Sequence, residues 1–515
     1  MTNEFDYVVV GSGSAGAAVA ARLSEDPSRK VLLLDAGPDF PVIEDTPAEI
    51  LNGSAMSLAL HDWNYRAEIN DGRKIRFPRG KITGGSSAVG ATIALRGTPN
   101  NFEEWVAAGN PAWAWDNVLP FYQKLEDDLD YGDDAVHGAG GPIPIRRWQS
   151  DELTPVGQAF LESSLKAGYA EVADHNNPTA TGVGPIPSNR RDPAVRFSSA
   201  MGYLPAARQR ENFTVRAGVQ VNRVLFDGNK AIGVELSTGN GSTEAVHARH
   251  VILSAGSINS PAILLRSGIG PAADLGWLGT DVRVDLPGVG DNLIDHPRTG
   301  VFMVPKPGTF RQTDPFLQTI LRTTAEGSSE FNDMQYYMVN HFDLALFPEL
   351  QMLANAPVIF GVMAVHQKPQ SRGRMKLTTL DPSVDPNIKL NLLDTEQDIQ
   401  ILVDAIRNCW KLVNQDGIAS LGQSFIVLSD ELMEEEEMLR YYVKLSLDSA
   451  YHPVGTARMG PASDESAVVD ERLRVHGTEN LYIADASVMP EIVNCNTNLT
   501  STMIGERLAA WLRES

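Results

Sequence analysis

The sequence predicts an α/β protein in which a Rossmann-like domain is interleaved with an α+β domain built on an antiparallel sheet. The first observation is the order of patterns in residues 6–37: an apolar β-branched run, a glycine-rich turn, an Ala-rich stretch and a second apolar run ending in a carboxylate. That order is typical of a βαβ unit. The second observation is the stretch 330–380, where apolar and polar residues alternate over short runs, as in antiparallel strands.

The βαβ unit carries the features of a dinucleotide site. Gly11 permits a tight turn, Gly13 lets the backbone approach a pyrophosphate, and Gly16 allows the helix to pack closely on its strand. The N-terminus of the helix then faces the phosphates. Asp35 ends the second strand, 19 residues after Gly16, where a carboxylate can accept hydrogen bonds from an adenosine ribose. These residues predict that FAD or NAD binds here.

The charge of the chain excludes two classes of partner. Its 515 residues include 43 Lys and Arg against 65 Asp and Glu, a formal net charge of −22. A surface this acidic repels phosphate backbones and anionic lipids, so we expect no nucleic acid and no membrane as partners. The sequence also lacks a run of about 18 apolar residues, the minimum for a transmembrane helix.

Cysteine content and the N-terminal sequence indicate a reducing compartment. Cys409 and Cys495 are too few for a disulfide framework or a zinc site, and we expect no metal. The first six residues lead straight into an apolar strand and lack the pattern of a secretion signal. We therefore expect a cytoplasmic protein.

Further glycine-rich blocks follow the dinucleotide motif. Residues 79–97 read RGKITGGSSAVGATIALRG, residues 256–270 read GSINSPAILLRSGIG, residues 449–460 read SAYHPVGTARMG, and residues 484–500 read ADASVMPEIVNCNTNLT. In identity, order and spacing these blocks resemble the glucose-methanol-choline (GMC) family of flavin oxidoreductases. The resemblance spans nearly the whole chain, and several long motifs make a chance likeness negligible.

The resemblance implies FAD as the cofactor, bound without a covalent link. Where relatives with covalent flavin carry a histidine, this chain has Val89, and the next position, usually an asparagine, is Gly90. Gly90 removes a polar side chain and opens room beside the flavin. The residues that the resemblance assigns to the cofactor are Gly11, Gly13, Ser14, Ala15, Gly16, Asp35, Ala36, Gly84, Gly85, Ser86, Ser87, Val89, Gly90, Val221, Asp485, Ala486, Asn496 and Thr497.

The same resemblance implies the catalytic residues. Oxidation of an alcohol by a flavin needs a group that takes the hydroxyl proton, and histidine suits this because its ordinary pKa is about 6.5. His452 matches the position of the family's base, and Asn496, 44 residues later, matches the second catalytic position, where many relatives carry another histidine. An amide cannot exchange a proton. We therefore expect His452 to be the sole base and Asn496 to orient the alcohol or its oxyanion.

The order of the blocks predicts how the domains alternate along the chain. The FAD-binding domain is expected at 1–155, 205–300 and 450–515, and the substrate domain at 156–204 and 301–449. Residues 307–332 contain Pro, Gly and Ser clusters and are expected to form a gate. The antiparallel sheet would roof the reactive face of the flavin. The polar residues on it that are candidates for substrate contact are Gln335, Tyr337, Asn340, His341 and His366.

We therefore predict FAD-dependent oxidation of an alcohol, with His452 abstracting the hydroxyl proton while hydride passes to the flavin. A sugar or glycoside hydroxyl is the first candidate substrate, with oxygen as the acceptor. The alternatives are an aryl or aliphatic alcohol, and a quinone or protein carrier as acceptor. A flavin-containing lyase of the same fold and a flavoprotein without turnover are alternatives of other classes. Anaerobic bleaching of the flavin by an alcohol separates an oxidoreductase from both.

Overall fold

The computed structural model describes residues 5–70, 72–237 and 242–514. The helices of these residues are α1 (Ser14–Leu23), α2 (Ala48–Leu51), α3 (Pro99–Ala107), α4 (Trp115–Leu125), α5 (Pro155–Lys166), α6 (Ser199–Ala207), α7 (Gly256–Arg266), α8 (Ala272–Leu278), α9 (Pro348–Ala354), α10 (Glu396–Val413), α11 (Asp416–Ala419), α12 (Asp430–Glu434), α13 (Glu436–Ser446) and α14 (Asn498–Glu514). The strands are β1 (Phe5–Val10), β2 (Val31–Leu34), β3 (Arg66–Asn70), β4 (Arg73–Arg76), β5 (Glu126–Asp128), β6 (Ile143–Ile145), β7 (Gly182–Pro185), β8 (Phe213–Arg216), β9 (Gln220–Asp227), β10 (Lys230–Ser237), β11 (Thr243–Leu253), β12 (Ile269–Gly270), β13 (Val284–Asp285), β14 (Pro297–Pro305), β15 (Leu317–Thr323), β16 (Met334–Asp343), β17 (Val358–His366), β18 (Arg374–Lys376), β19 (Asn387–Lys389), β20 (Gly422–Phe425), β21 (Asp448–Ser449) and β22 (Leu481–Ile483).

One sheet carries the predicted βαβ unit. Within the described ranges its strands follow the order β8, β2, β1, β11, β10, β9, and β22 pairs with β11. The pairs among β8, β2, β1, β11 and β22 are parallel, whereas β9 and β10 extend the sheet in antiparallel fashion. The long strand β11 joins the two parts, since Val246 pairs with β10 and Val251 pairs with β1 and β22. The parallel core is apolar and buried on both faces, as the VLLL sequence of β2 illustrates.

A second sheet is antiparallel. In the part of the chain that the structure describes, its strands follow the order β20, β14, β17, β16, β15, β7, and β21 pairs with β14. The amphipathic helix α10 packs against β14 and β17, while α5 packs against β15 and β16. The helices therefore cover one face of this sheet and leave the other for the interior of the molecule.

The C-terminal helix α14 packs along α1. A Cβ atom at Gly505 would come within 2.4 Å of the carbonyl oxygen of Ala15, so only glycine allows this approach. Arg22 of α1 donates to the buried carboxylate of Glu506 at 2.8 Å, and the hydroxyl of Tyr203 donates to the same carboxylate at 2.8 Å. The last helix of the chain thus covers its first βαβ unit.

The structure confirms the predicted fold class. Strands of the first sheet come from residues 5–34, 213–253 and 481–483, all inside the ranges expected for the FAD-binding domain. Strands of the second sheet lie within 182–185 and 297–449. The division of the chain at residues 155, 205, 300 and 450 stays a prediction. Among the described residues, no helix combines the length and the apolar character needed to cross a bilayer.

The segment 307–332 differs from the expected gate. Its middle forms strand β15, which pairs with β16 on one side and β7 on the other. A strand hydrogen-bonded along both edges is part of the sheet rather than of a free loop. The turn residues lie on either side of the strand, and a gating role for them stays a prediction.

Candidate active site

A cleft that is partly open to solvent lies at the carboxyl ends of the parallel strands. Residues at the ends of β1, β2 and β11 line one part of it, which is where α/β sheets bind their ligands. The antiparallel sheet contributes Arg298 of β14, Tyr337 of β16, and Met363 and Val365 of β17. The cleft therefore has a dinucleotide end and a second end under the antiparallel sheet.

A side chain would be excluded at the glycines of the first turn for different reasons. Gly11 has φ of +95°, and a Cβ atom there would lie 2.4 Å from the carbonyl oxygen of Ser254. A Cβ atom at Gly16 would lie 1.9 Å from the carbonyl oxygen of Gly11. At Gly13, by contrast, the nearest protein atom would be Cα of Gly85 at 4.0 Å, and the Cβ would occupy the cleft. Gly13 thus leaves room for a ligand rather than for the protein.

Two buried carboxylates shape the turns at the dinucleotide end. Asp35 accepts hydrogen bonds from the backbone N–H of Ser12 at 2.9 Å and from its hydroxyl at 2.5 Å. Asp485 accepts from the backbone N–H of Gly256 at 2.9 Å and from the Ser260 hydroxyl at 2.6 Å. Burial raises the pKa of both carboxyl groups, and these hydrogen bonds oppose that change. Both residues line the cleft and fix the glycine turns at its edge.

At the other end of the cleft, His452 and Asn496 are in contact. The Nδ2 atom of Asn496 lies 3.1 Å from Nε2 of His452, and the hydroxyl of Tyr337 lies 3.0 Å from Oδ1 of Asn496. All three residues line the cleft. The loop before α14 and strand β16 therefore bring an amide and a phenol to the ring of His452.

The backbone at Tyr451 turns the histidine toward the cleft. Tyr451 has φ of +64°, which is uncommon for a bulky residue. Its N–H donates to the hydroxyl of Ser449 at 2.7 Å, and its carbonyl oxygen accepts from Arg79 at 2.6 Å. These contacts stabilise the left-handed conformation that places the ring of His452 in the cleft.

A second histidine lies behind the first. Nδ1 of His296 is 3.0 Å from Nδ1 of His452, and Nε2 of His296 is 3.1 Å from the carbonyl oxygen of Val493. Asp295 accepts hydrogen bonds from the backbone N–H groups of both histidines, each at 2.8 Å. Within the described residues, neither ring forms an ion pair with a carboxylate. The two imidazoles therefore bind each other instead of an acid.

Both rings are held neutral. Burial lowers the pKa of His452 to about 3, and the guanidinium groups of Arg79 and Arg298 act in the same direction. Burial likewise lowers the pKa of His296 well below its ordinary value, and the neighbouring His452 adds to the effect. A neutral imidazole retains one lone pair, so His452 can accept a proton.

Profiles of the GMC oxidoreductase family match residues 5–298 with their N-terminal part and residues 369–505 with their C-terminal part. The chain belongs to the GMC oxidoreductase family. It is 36% identical to the oxygen-dependent choline dehydrogenase of Staphylococcus saprophyticus, covering 100% of this chain and 95% of the relative. It is also 36% identical to the 5-(hydroxymethyl)furfural oxidase of Methylovorus sp., covering 98% of both chains. The crystal structure of pyridoxine 4-oxidase from Mesorbium loti has a TM-score of 0.91 at 30% identity, covering 99% of this chain and 100% of that one.

This GMC oxidoreductase is an FAD-dependent enzyme that acts on CH–OH groups, and its cleft fits the cofactor. Gly13 leaves room beside the start of α1, where no side chain of the described residues caps the helix, so backbone donors are free for a diphosphate. Val89 supplies no nucleophile, in keeping with non-covalent FAD. The predicted cofactor residues that line the cleft are Gly11, Gly13, Ser14, Ala15, Asp35, Ala36, Gly85, Ser86, Ser87, Val89, Gly90, Val221, Asp485, Ala486, Asn496 and Thr497.

Two predicted cofactor residues of the GMC motifs lie outside the cleft lining. Gly16 lets α1 approach the turn at Gly11, as the 1.9 Å distance from its would-be Cβ demonstrates. The backbone N–H of Gly84 donates to the hydroxyl of Ser12 at 3.2 Å. Both glycines therefore support the turns that line the cleft.

The polar residues of the antiparallel sheet that were expected near the substrate also fall into two groups, those that line the cleft and those that do not. Tyr337 lines the cleft, whereas Gln335, Asn340, His341 and His366 do not. Gln335 lies behind Tyr337 and donates to the carbonyl oxygen of Asn494 at 3.1 Å, and Asn340 donates to that of Pro315 at 2.9 Å.

The two histidines of the antiparallel sheet that were expected near the substrate contact other parts of the protein. Nε2 of His341 lies 2.8 Å from the carbonyl oxygen of Asp314, and its ring stacks on Phe310. His366 is buried, with Nε2 3.5 Å from a carboxylate oxygen of Asp398. Both rings have partners within the protein and neither lines the cleft, so their contact with a substrate stays a prediction.

Sequence reasoning missed several residues of the GMC site. His296, Arg79 and Arg298 surround His452, and Arg266 lines the cleft with its buried Nε lacking a hydrogen-bond partner among the described residues. The Asp-His-Pro sequence at 295–297 is the one signal that pointed to His296. The arginines have none, because each comes from a separate segment and only the fold brings them together.

Proposed function

We propose that this enzyme oxidises a primary alcohol carried by an aromatic or heteroaromatic ring, with oxygen as the electron acceptor. The observation that supports the proposal is the apolar wall beside the catalytic pair. Phe316, Leu317, Met363 and Val365 line the cleft from the side of the antiparallel sheet. A planar ring packed against this wall buries apolar area on both partners, worth about 25 cal/mol per Å².

The same wall disfavours the sugar that the sequence put first. Each hydroxyl of a sugar needs a hydrogen-bond partner when it is buried, and an unpaired one costs about 1–3 kcal/mol. Arg298 is the charged group that this sheet adds to the lining, but its guanidinium binds Asp448 at 2.5 Å. On this wall the apolar side chains therefore outnumber the groups that could pair with the hydroxyls of a polyol.

Choline is disfavoured for a different reason. A quaternary ammonium keeps its positive charge at every pH, so a nearby carboxylate favours its binding and nearby positive charge opposes it. Among the described residues, the acidic side chains of the lining are Asp35 and Asp485, and both hold glycine turns at the dinucleotide end. Arg79 and Arg298 bring positive charge to the alcohol end instead.

The catalytic pair supplies the proton chemistry. FAD, when bound, supplies the acceptor for the hydride that leaves the carbinol carbon. Nε2 of His452 takes the hydroxyl proton as the O–H bond breaks, so that the carbon–oxygen double bond can form. The Asn496 amide, 3.1 Å from that nitrogen, orients the alcohol oxygen beside it.

The names of relatives agree with this assignment. Among them are a 5-(hydroxymethyl)furfural oxidase and a pyridoxine 4-oxidase, whose names describe ring-bearing compounds and oxidase activity. Oxygen as acceptor rests on these names and on the oxygen-dependent choline dehydrogenase. A cytoplasmic location stays a prediction from the sequence.

The experiment is anaerobic stopped-flow spectroscopy of the bound flavin with benzyl alcohol, 5-(hydroxymethyl)furfural, glucose, a methyl glycoside and choline, followed by oxygen. The proposal expects the ring-borne alcohols to bleach the flavin fastest and oxygen to restore the colour quickly. Faster bleaching by glucose or choline contradicts the substrate class. Slow return of colour contradicts oxygen as acceptor, and no bleaching by any alcohol contradicts the oxidation itself.

A further inference from the structure

We propose that His296 is a positioning residue that fixes which nitrogen of His452 carries the proton, so that Nε2 of His452 reaches the alcohol as a lone pair. The inference deepens the proposed function, because it rests on His452 acting as the base. Its observation is a row of four groups joined end to end: the Val493 carbonyl, His296, His452 and Asn496.

The first step concerns Nε2 of His296. It lies 3.1 Å from the carbonyl oxygen of Val493, which can only accept a hydrogen bond. Nε2 of His296 must therefore carry a hydrogen. His296 is fully buried, and the groups that face it, namely His452, His366 and Lys368, all disfavour a second proton on its ring. Nδ1 of His296 consequently bears a lone pair.

The second step concerns the contact between the two rings. Nδ1 of His296 and Nδ1 of His452 are 3.0 Å apart, a distance that requires one hydrogen between them. Since His296 offers a lone pair, the hydrogen belongs to Nδ1 of His452. Burial keeps the ring of His452 neutral, and the nearby Arg79 and Arg298 act in the same direction, so Nε2 of His452 is left without a hydrogen.

The third step examines the contact on the other side of the His452 ring, at Asn496. The Nδ2 atom of Asn496, a donor, faces Nε2 of His452 at 3.1 Å, and Oδ1 of Asn496, an acceptor, faces the Tyr337 hydroxyl at 3.0 Å. Turning the amide around would place Oδ1 against a lone pair of His452. This orientation of Asn496 is consistent with the tautomer derived from Val493, which lies in the same loop, while the Tyr337 hydroxyl is shared between Oδ1 of Asn496 and Oε1 of Gln335.

His452 is therefore held in the tautomer that a base requires, without a hydrogen bond from its ring to a carboxylate. In the other tautomer Nε2 of His452 would carry a hydrogen and could not accept the hydroxyl proton. Asp295 contributes to the placement of both residues through their backbone N–H groups at 2.8 Å. The hydrogen on Nδ1 of His452, however, is held by the ring of His296.

Two substitutions separate this role from mere packing. In His296→Asn the side-chain oxygen can lie where Nδ1 lies, so it still accepts from His452. In His296→Gln the amide reaches the position of Nε2, so it still donates to Val493 but accepts nothing from His452. We expect flavin reduction by the best alcohol to remain within about tenfold of wild type for His296→Asn and to fall by about 10²-fold or more for His296→Gln, because a wrong tautomer in a catalytic triad costs about 10⁴.

A second measurement needs no turnover. Protein labelled with ¹⁵N in its histidine rings gives long-range ¹H–¹⁵N spectra, and the signals lost in His452→Ala identify His452. We expect a hydrogen on Nδ1 and none on Nε2 in the wild-type holoenzyme, and the reverse or a mixture in His296→Gln. FAD content and thermal unfolding midpoints of each variant report folding separately.

The outcomes are distinct. Equal losses in the Asn and Gln variants, or a greater loss in Asn, overturn the proposal, as does a hydrogen on Nε2 of His452 in the wild-type spectrum. If no alcohol reduces the wild-type flavin, the proposed function fails, and the spectrum still decides the tautomer. If both variants fail to fold, the wild-type spectrum alone decides.

Discussion

Two regions of this molecule bury histidines, and they treat them in opposite ways. In the cleft, His452 and His296 contact each other, and burial leaves both neutral. Near β5, Nδ1 of His137 lies 3.0 Å from Asp128 and 3.2 Å from Glu126, and its Nε2 lies 3.0 Å from Asp174.

The carboxylates decide the difference. Burial alone would lower the pKa of His137, but its hydrogen bonds to Asp128, Asp174 and Glu126 raise it to about 10. The pKa of Asp128 is lowered to about 2, against burial, by His137 and Arg147. His137 is thus held as a cation at neutral pH and binds three carboxylates, whereas His452 stays available for a proton. Burial favours the neutral ring in both regions, and only at His137 do carboxylate partners outweigh it.

Removal of the His452 ring is expected to have the largest effect on the rate of flavin reduction. His452→Ala should keep FAD and lose about 10²- to 10⁴-fold in the rate of flavin reduction, because general-base catalysis contributes that much. Anaerobic stopped-flow absorbance measures the rate. His341→Ala is the control, since its ring lies outside the cleft lining. Reduction at the wild-type rate by His452→Ala would remove this residue from the chemistry.

Adding a carboxylate should make the cleft resemble the His137 region. In Asn496→Asp a charge replaces the amide that lies 3.1 Å from Nε2 of His452. It should raise the pKa of His452 and oppose the developing alkoxide, slowing reduction by about 10- to 100-fold at pH 7, the scale of a charged hydrogen bond of about 1.5–3 kcal/mol.

The matched variant Asn496→Ala loses the amide without adding charge. It should slow reduction but leave the acid limb of the rate-versus-pH profile in place, whereas Asn496→Asp should move that limb to higher pH. The same stopped-flow assay between pH 4 and pH 9 distinguishes them. Coincident profiles for the two variants would refute the electrostatic account.

Breaking the charged cluster should affect stability rather than rate. His137→Gln should destabilise the fold by about 1–3 kcal/mol near neutral pH, the range for buried hydrogen bonds to charged groups. A histidine pKa raised from about 6.5 to about 10 gives stability that is fully present below pH 6.5 and is lost as pH rises through 10. The thermal unfolding midpoints of wild type and variant should therefore converge between pH 7 and pH 10. A gap that stays constant with pH would contradict the charge on His137.

The smallest expected effect is the pH response of the intact base. Because the pKa of His452 is lowered to about 3, the rate of flavin reduction should change little from pH 8 to pH 5 and fall only in stronger acid. Burial raises the pKa of Asp295 to about 6, so a modest change near that pH is expected, and Asp295→Asn should remove it. Half-loss of the rate between pH 6 and pH 7 in both proteins would indicate a histidine of ordinary pKa.

Local motifs allowed much of this molecule to be predicted. The structures of the βαβ unit and of the turn at Gly11 and Gly13 depend on neighbouring residues, so they can be predicted from the local sequence. The contact of His452 with Asn496 spans 44 residues and came from matching motifs rather than from geometry. The contact of His452 with His296 spans 156 residues and could not be inferred, because nothing local indicates it.

The cleft-facing residues of the antiparallel sheet were predicted less well. Alternation along a strand shows that it has two faces, but it does not show which face lines the cleft. Met363 and Val365 line the cleft, so His366 points to the opposite face. His341 would share the face of Tyr337 by simple alternation. The pairing of β16 with β17 shifts register between Val339 and Phe342, and that bulge removes the correspondence before His341 is reached.

The positions of strand β22 and helix α14 in the sequence affect the order in which the protein can fold during synthesis. The β1–α1–β2 unit is made before β22 and α14, so its sheet gains β22, and α1 gains its cover at Gly505, only after these later segments have been synthesised. Asn496 and Thr497 of the cleft arrive in the same segment. The N-terminal sheet and the cleft are therefore complete only once residues 481–505 have been synthesised.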